Sequence, residues 1–127
     1  MNIVIVDDHL LFADALALTL AARIPGCKVT QYGAPQQLLA AGDALASAEL
    51  LIVDVAMPEL DGLSLLRILG SALKRLRVIL CSGALDAATV EKAQYLDIDG
   101  FVDKGEAVET LEQFFNCMNK LKTQPSA

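Results

Sequence analysis

Four apolar residues in succession, Leu50-Leu51-Ile52-Val53, end on Asp54, and Pro58, Asp61 and Gly62 follow within eight positions. A short unbroken apolar run bounded by turn residues is the pattern of a strand buried on both faces, as in parallel sheets covered by helices. Asp54 then stands where the strand leaves the core. In open α/β sheets the carboxyl ends of the strands form the crevice in which ligands bind. A carboxylate delivered there by a rigid strand is a candidate for chemistry.

The flanking sequence repeats the theme. Asn2 to Val6 (NIVIV) is a compact apolar run closed by Asp7-Asp8-His9. Asp8 is expected to cap a helix over Leu10 to Arg23, in which Leu11, Ala15, Leu18, Ala22 and Phe12, Leu16, Leu20 recur at helical spacing. Pro25-Gly26 stops that helix, and Lys28 to Tyr32 (KVTQY) alternates enough to read as an edge strand. Ala34-Pro35 opens a second helix through Leu38, Leu39 and Leu45, weakened at Gly42. A third helix is expected from Leu63 to Leu73, burying Leu65, Leu66, Leu69 and Leu73. Arg77 to Cys81 (RVILC) is a further buried strand closed by Ser82-Gly83, and Asp86 is placed to cap a fourth helix through Val90 and Ala93. Gly100-Phe101-Val102 is a short last strand leading into Asp103-Lys104-Gly105. Val108, Leu111, Phe115, Met118 and Leu121 then repeat at steps of three and four, the mark of a final amphipathic helix.

Five strands alternating with five helices imply a doubly wound α/β fold, with a parallel sheet and helices on both faces. On size, the flavodoxin-like (βα)5 arrangement with strand order 2-1-3-4-5 is the expected one. One domain is expected over residues 1–121. Residues 122–127 are polar, contain Pro125 and read as a disordered tail or the start of a linker. No apolar run approaches the roughly 20 residues of a membrane span, and the N-terminus has no basic signal-like region, so a cytoplasmic protein without membrane contact is expected. A net charge of −6 argues against this segment itself binding nucleic acid. Cys27, Cys81 and Cys117 are odd in number, far apart and set among apolar neighbours, which fits buried reduced thiols rather than a metal site.

Polar groups stand at four strand ends: Asp7-Asp8, Asp54, Ser82 and Lys104. In the expected strand order these strands are adjacent, so the groups converge on one crevice. Three carboxylates sharing a pocket repel one another unless a cation sits among them. A hard divalent ion resolves this, and Mg²⁺, which keeps several waters, suits the set better than Ca²⁺, which takes more protein ligands. Asp54 beside the metal is then placed to act as a carboxylate nucleophile and form an acyl phosphate. Lys104 supplies an ammonium and Ser82 a hydroxyl for the phosphoryl oxygens. His9 is expected at the surface beside this set, as neither base nor ligand.

From Val4 to about Leu121 this set resembles the receiver domain of bacterial two-component response regulators. Asp7-Asp8 is similar to the family's acidic pair, Asp54 to its phosphoacceptor, Ser82 to its switch residue and Lys104 to its signature lysine. Asp54-Val55-Ala56-Met57-Pro58 with Asp61-Gly62 is the strongest local match. The resemblance implies Mg²⁺ held directly by Asp8 and Asp54, by Asp7 through water, and by the Ala56 backbone carbonyl. It places Phe101 at the aromatic switch position. It also implies a sensor histidine kinase or phosphotransfer protein as partner, and it allows a homodimer through the face of the fourth helix, fifth strand and fifth helix. The Asp7-Asp8-His9-Leu10-Leu11-Phe12 opening is most similar to receivers of the NarL/LuxR type. A DNA-binding transcriptional output domain outside this chain is therefore expected, with a stand-alone receiver or an unphosphorylated interaction module as the alternatives. One departure stands out: Asp97-Ile98 precedes Asp99-Gly100-Phe101 where the family often has a Gly-Ala pair, so the fourth helix needs a different end. An enzyme is not expected beyond a Mg²⁺-dependent phosphoacceptor with self-dephosphorylation. Hydrolases that use an aspartate nucleophile commonly carry a second carboxylate two residues on, where this chain has Ala56.

Overall fold

A computed structural model of the chain describes residues 1–58, 60–83, 87–96, 98–106 and 109. Five parallel strands form one sheet: β1 (Asn2–Val6), β2 (Lys28–Tyr32), β3 (Leu50–Asp54), β4 (Arg77–Ser82) and β5 (Gly100–Asp103), in the order β2-β1-β3-β4-β5. This is the flavodoxin-like arrangement expected from the alternation of elements. Side chains alternate across a strand, and the alternation divides the core in two. Val4, Val6, Leu51, Val53, Val78 and Leu80 face one layer with Leu38, Leu63, Leu66 and Ala93. Ile3, Ile5, Leu50, Ile52, Ile79 and Val102 face the other, with Ala13, Leu16 and Leu20. The central β3 is buried along its whole length, whereas β2 at the edge is nowhere fully buried.

Four α-helices lie within the described residues: α1 (Leu10–Arg23), α2 (Pro35–Ala40), α3 (Gly62–Leu69) and α4 (Ala87–Ala93). Of the two apolar stripes in α1, the sheet takes Leu16 and Leu20, joined by Ala13 and the half-buried Phe12. Leu11 and Leu18 are 88 % and 74 % exposed, because a helix lying on a sheet buries a single stripe. Asp8 does not cap α1: the capping position falls to His9, with no side-chain capping bond. The second helix ends at Ala40, short of Leu45, which lies in a separate 3₁₀ turn (Asp43–Leu45). The third ends at Leu69 because Gly70 turns into the left-handed region (φ 51°), and a 3₁₀ turn over Gly70–Arg75 carries Leu73 into the core. The expected cap Asp86, the final helix from Val108 to Leu121 (Glu109 apart) and Cys117 lie outside the described residues. So does Asp97. Beyond it, Asp99 anchors the entry to β5: its amide donates to Val78 O (2.7 Å), and its carboxylate accepts from the Val78 amide (2.7 Å).

The loop after β3 folds back on the strand that precedes it. Val55 N donates to Cys81 O (2.9 Å), and Gly62 N donates to Val55 O (3.0 Å). Met57 is buried in the core, and the Asp61 carboxylate accepts from Ser64 N at 2.7 Å, capping α3. Asp61-Gly62 is thus a helix start rather than a simple turn. Gly62 is required by close approach: a Cβ there would overlap the Asp54 carbonyl oxygen and come within 2.9 Å of Val53 Cγ1. Gly62→Ala is expected to destabilise the protein by about 1–3 kcal/mol through overpacking. A lowered urea midpoint at unchanged m-value would show it. A wild-type midpoint would mean that the loop has room to shift.

Candidate functional site

The carboxyl edge of the sheet gathers side chains from three strands. Asp7 follows the last residue of β1 and Asp54 is the last residue of β3, each only 2 % exposed. Lys104 follows β5, whose register with β4 (Cys81 with Val102, Ser82 with Asp103) sets where the lysine emerges. Its Nζ lies 2.9 Å from Asp7 Oδ2, 3.1 Å from Asp7 Oδ1 and 3.3 Å from Asp54 Oδ2. Asp8, half-buried, completes the acidic group.

His9 belongs to this arrangement more closely than its sequence position suggests. Its ring is 63 % exposed, yet Nδ1 stands 3.3 Å from Asp7 Oδ1, 3.5 Å from Asp8 Oδ1 and 3.6 Å from Asp54 Oδ2. Lys104 Nζ is 2.9 Å from the same Nδ1. Phe12, expected only as a stripe residue of the first helix, also reaches the site. Lys104 Nζ sits 4.8 Å from the centroid of its ring, within cation–π range. The only sequence signal for either was adjacency to Asp7-Asp8 at the start of α1.

The electrostatics are those of an under-neutralised pocket. Burial of Asp54, and after it the charge of Asp7, push the Asp54 carboxyl up to about 6, with Lys104 pulling the other way. Burial works against the Lys104 charge, but hydrogen bonding and attraction from Asp7, then attraction from Asp54, more than offset it and hold its pKa above the usual lysine value. Asp8 Oδ1 and Asp54 Oδ2 are buried without a directed hydrogen bond, the Lys104–Asp54 contact being an ion pair. Buried acceptors in that state are costly. Two such oxygens facing one another across a carboxylate cluster suit a hard cation with oxygen ligands.

Ala56 N donates to Asp54 Oδ1 at 3.3 Å, which orients the carboxylate. Ser82 is buried at the end of β4, one residue beyond Cys81, the register partner of Asp54. Phe101 lies on β5 opposite Leu80, half-buried against the core layer that holds α3 and α4, three residues before Lys104. Cys81 is fully buried, and burial, followed by the charge of Asp7, pushes its thiol up to about 12, so it stays protonated. Cys27 is half-buried and free of any disulfide.

A flavodoxin-like sheet with three aspartates and a lysine at its carboxyl edge defines a small α/β domain with an acidic site at the end of its sheet. The chain belongs to the response regulator receiver domain family, whose model matches residues 3–116. Receiver domains are signalling modules rather than enzymes in the ordinary sense. Among solved structures, the RcsB response regulator of Salmonella typhimurium superimposes with a TM-score of 0.82 at 26% identity, over 94% of this chain. That match covers 62% of the RcsB chain, so this chain spans less than two thirds of that relative. The isolated receiver domain of RcsB from Salmonella enterica serovar Typhimurium, in the presence of the phosphomimetic BeF3−, gives a TM-score of 0.81 at 25% identity, over 94% of this chain and 88% of that one. The Vibrio cholerae chemotaxis protein CheY4 gives 0.78 at 20% identity, over 91% and 95%. Among curated proteins, no match is found.

The raised Asp54 carboxyl fixes the direction of a pH effect. The folded state holds the Asp54 proton up to about pH 6, while the unfolded chain releases it near 3.8. Between those values the native state binds the extra proton, so the Asp54 contribution to stability falls as pH rises through the window and stays lost above it. With divalent ions chelated, Asp54→Asn is expected to match wild type near pH 4 and to exceed it by on the order of 2 kcal/mol at pH 7.5. Urea unfolding at the two pH values checks this. A pH-independent difference would mean that the Asp54 charge carries no such cost.

Proposed function

We propose that this chain is a phosphorylation-switched receiver in which Asp54 accepts a phosphoryl group from a phosphohistidine on a sensor kinase or phosphotransfer protein. The observation that carries the reading is the Asp54 Oδ2 atom, buried, without a directed hydrogen bond, and 3.3 Å from an ammonium. An Asp54 carboxylate oxygen attacks phosphorus, the P–N bond to the donor imidazole breaks, and the imidazole nitrogen leaves with the electron pair and takes up a proton. The product is a mixed anhydride on Asp54.

Asp8 and Asp54, Asp7 through water, and the Ala56 carbonyl would hold Mg²⁺, whose charge offsets that of the phosphoryl oxygens. Lys104, already between Asp7 and Asp54, is placed to pair with one of those oxygens, and the Ser82 hydroxyl to donate to another. Bringing Ser82 toward Asp54 draws on the segment that follows β4, and Phe101 shifts its packing against α4. The face of α4 and β5 then exists in two states that partners, or a second copy of the chain, distinguish. The likeness to RcsB, whose structures concern DNA interaction, supports a DNA-binding regulator as output. With its −6 charge this segment takes no direct part in that contact. Among the described residues no helix is long and apolar enough to cross a membrane, in keeping with work in the cytoplasm.

Incubation with acetyl phosphate and Mg²⁺ is expected to add one phosphoryl group to the wild-type protein, seen by intact mass. Chelation with EDTA is expected to abolish the addition, and Asp54→Asn to show none. Incorporation by Asp54→Asn at the wild-type level would overturn the assignment.

A further inference from the structure

We infer that His9 supplies a nitrogen ligand to the acidic site, which therefore takes borderline first-row ions such as Co²⁺ and Zn²⁺ far more strongly than a site of carboxylates alone. The inference rests on the reading that the Asp7–Asp8–Asp54 cluster takes a divalent cation, and it adds which class of cation the chain favours and why.

The geometry is that of a mixed donor set. A ring nitrogen of His9 and one oxygen from each of Asp7, Asp8 and Asp54 all lie within 4.8 Å of one another. Donors opposed across a six-coordinate first-row ion stand roughly 4.2 Å apart, twice a metal–ligand distance of about 2.1 Å, so small side-chain adjustments suffice. Two of the oxygens, Asp8 Oδ1 and Asp54 Oδ2, are buried and accept no directed hydrogen bond. They are 3.5 and 3.6 Å from Nδ1.

The orientation of the ring bears on the same point. Lys104 Nζ lies 2.9 Å from Nδ1. An ammonium has donors and no acceptor, so that contact uses the Nδ1 lone pair. The lone pair is therefore already turned toward positive charge inside the cluster, as coordination would require. Apart from that contact, His9 has no structural duty among the described residues: it occupies the capping position of α1 without a side-chain capping bond, and its ring is largely outside the core. Every polar contact of the ring among the described residues is with Lys104 or one of the three aspartates.

Selectivity follows from ligand chemistry. Mg²⁺ seeks oxygen ligands and retains water, and gains little from an imidazole. Co²⁺, Ni²⁺ and Zn²⁺ bind imidazole well and stand higher in the affinity order. A nitrogen on an otherwise oxygen site thus raises the affinity for these ions while leaving that for Mg²⁺ nearly unchanged.

The full chain, stripped of metal, is titrated with Co²⁺ by visible absorption and with Mg²⁺ by calorimetry, as wild type and as His9→Ala. His9→Ala is expected to weaken Co²⁺ at least ~10-fold, the low end of what even an outer-sphere partner is worth, and Mg²⁺ by less than about threefold. The cobalt absorption bands are expected to shift, and the paramagnetically shifted imidazole proton of the wild-type cobalt protein to disappear from its NMR spectrum. Unchanged Co²⁺ affinity, or equal loss for both ions, would overturn the role of His9 while leaving the acidic site intact. Failure of the wild-type protein to bind either ion would overturn both readings. Wild-type thermal unfolding of the metal-free variant guards against a folding defect as the cause.

Discussion

The Lys104 ammonium lies between two of the three aspartates that the sheet brings together, and the site is shaped by how incompletely one charge answers them. The position of Lys104 is not its own choice. The register of β5 on β4 delivers it to the carboxyl edge, and the burial of Asp7 and Asp54 follows from their places at the ends of β1 and β3. Backbone hydrogen bonds in the middle of the sheet thus impose a charge arrangement that the side chains alone would avoid. Asp7 benefits most, with both its oxygens close to Nζ. Asp54 is held at greater distance and retains a raised carboxyl pKa. The site is in this sense incomplete by construction. Whatever brings further positive charge to Asp54 and Asp8 relieves a cost that folding has already incurred.

The parts of the fold that could be read from the sequence are those governed by a short, rigid period. Strand side chains alternate strictly, so the runs Asn2–Val6, Leu50–Asp54 and Arg77–Ser82 each divide between the two core layers as an alternating pattern requires. Helix ends were harder. Leu73 does reach the core, but through a 3₁₀ turn after Gly70 rather than on a continuous helix. Apolar spacing reports which residues are buried more faithfully than it reports the backbone carrying them. The α1 sequence offered two stripes, and the turn through Asp7-Asp8-His9 decides which one meets the sheet. That turn is held by a local bond, the His9 amide donating to Asp7 Oδ1 at 2.8 Å, and by a tertiary one, Asp7 N donating to Tyr32 O at 3.0 Å.

The same distinction runs through the site. Asp7, Asp54 and Lys104 were legible because each stands at a strand end, where the backbone alone determines convergence. Asp8 carried two readings, helix cap and ligand, and the capping position of α1 falling to His9 removes the first. The place of Ser82 at the same edge follows from β4, and Phe101 packs on the core layer as a strand residue must. For His9 only a place at the surface beside the site was legible, and for Phe12 only a place on an apolar stripe of α1. Their contacts with Lys104 depend on side-chain torsions and on the path of one turn, which leave no trace in apolar spacing.

The surroundings of Asp54 are unequal in a way that bears on how a change there would spread. On one side, Val55 is tied to Cys81 O, Gly62 lies against the Asp54 carbonyl, Met57 is sunk in the core, and α3 buries Gly62, Leu63, Leu65 and Leu66. Movement on that side would break close packing, which interiors resist. On the other side, Ala93 is the one buried residue of the seven in α4, and β5 lies at the opposite edge of the sheet from β2 with Phe101 only half-buried. Segments with few buried apolar contacts open and shift at the lowest free energy. Under the proposed function, a change of charge at Asp54 therefore meets a fixed wall toward α3 and a yielding one toward α4 and β5. On that reading this difference in burial gives the switch its direction. No special hinge residue is needed to choose it.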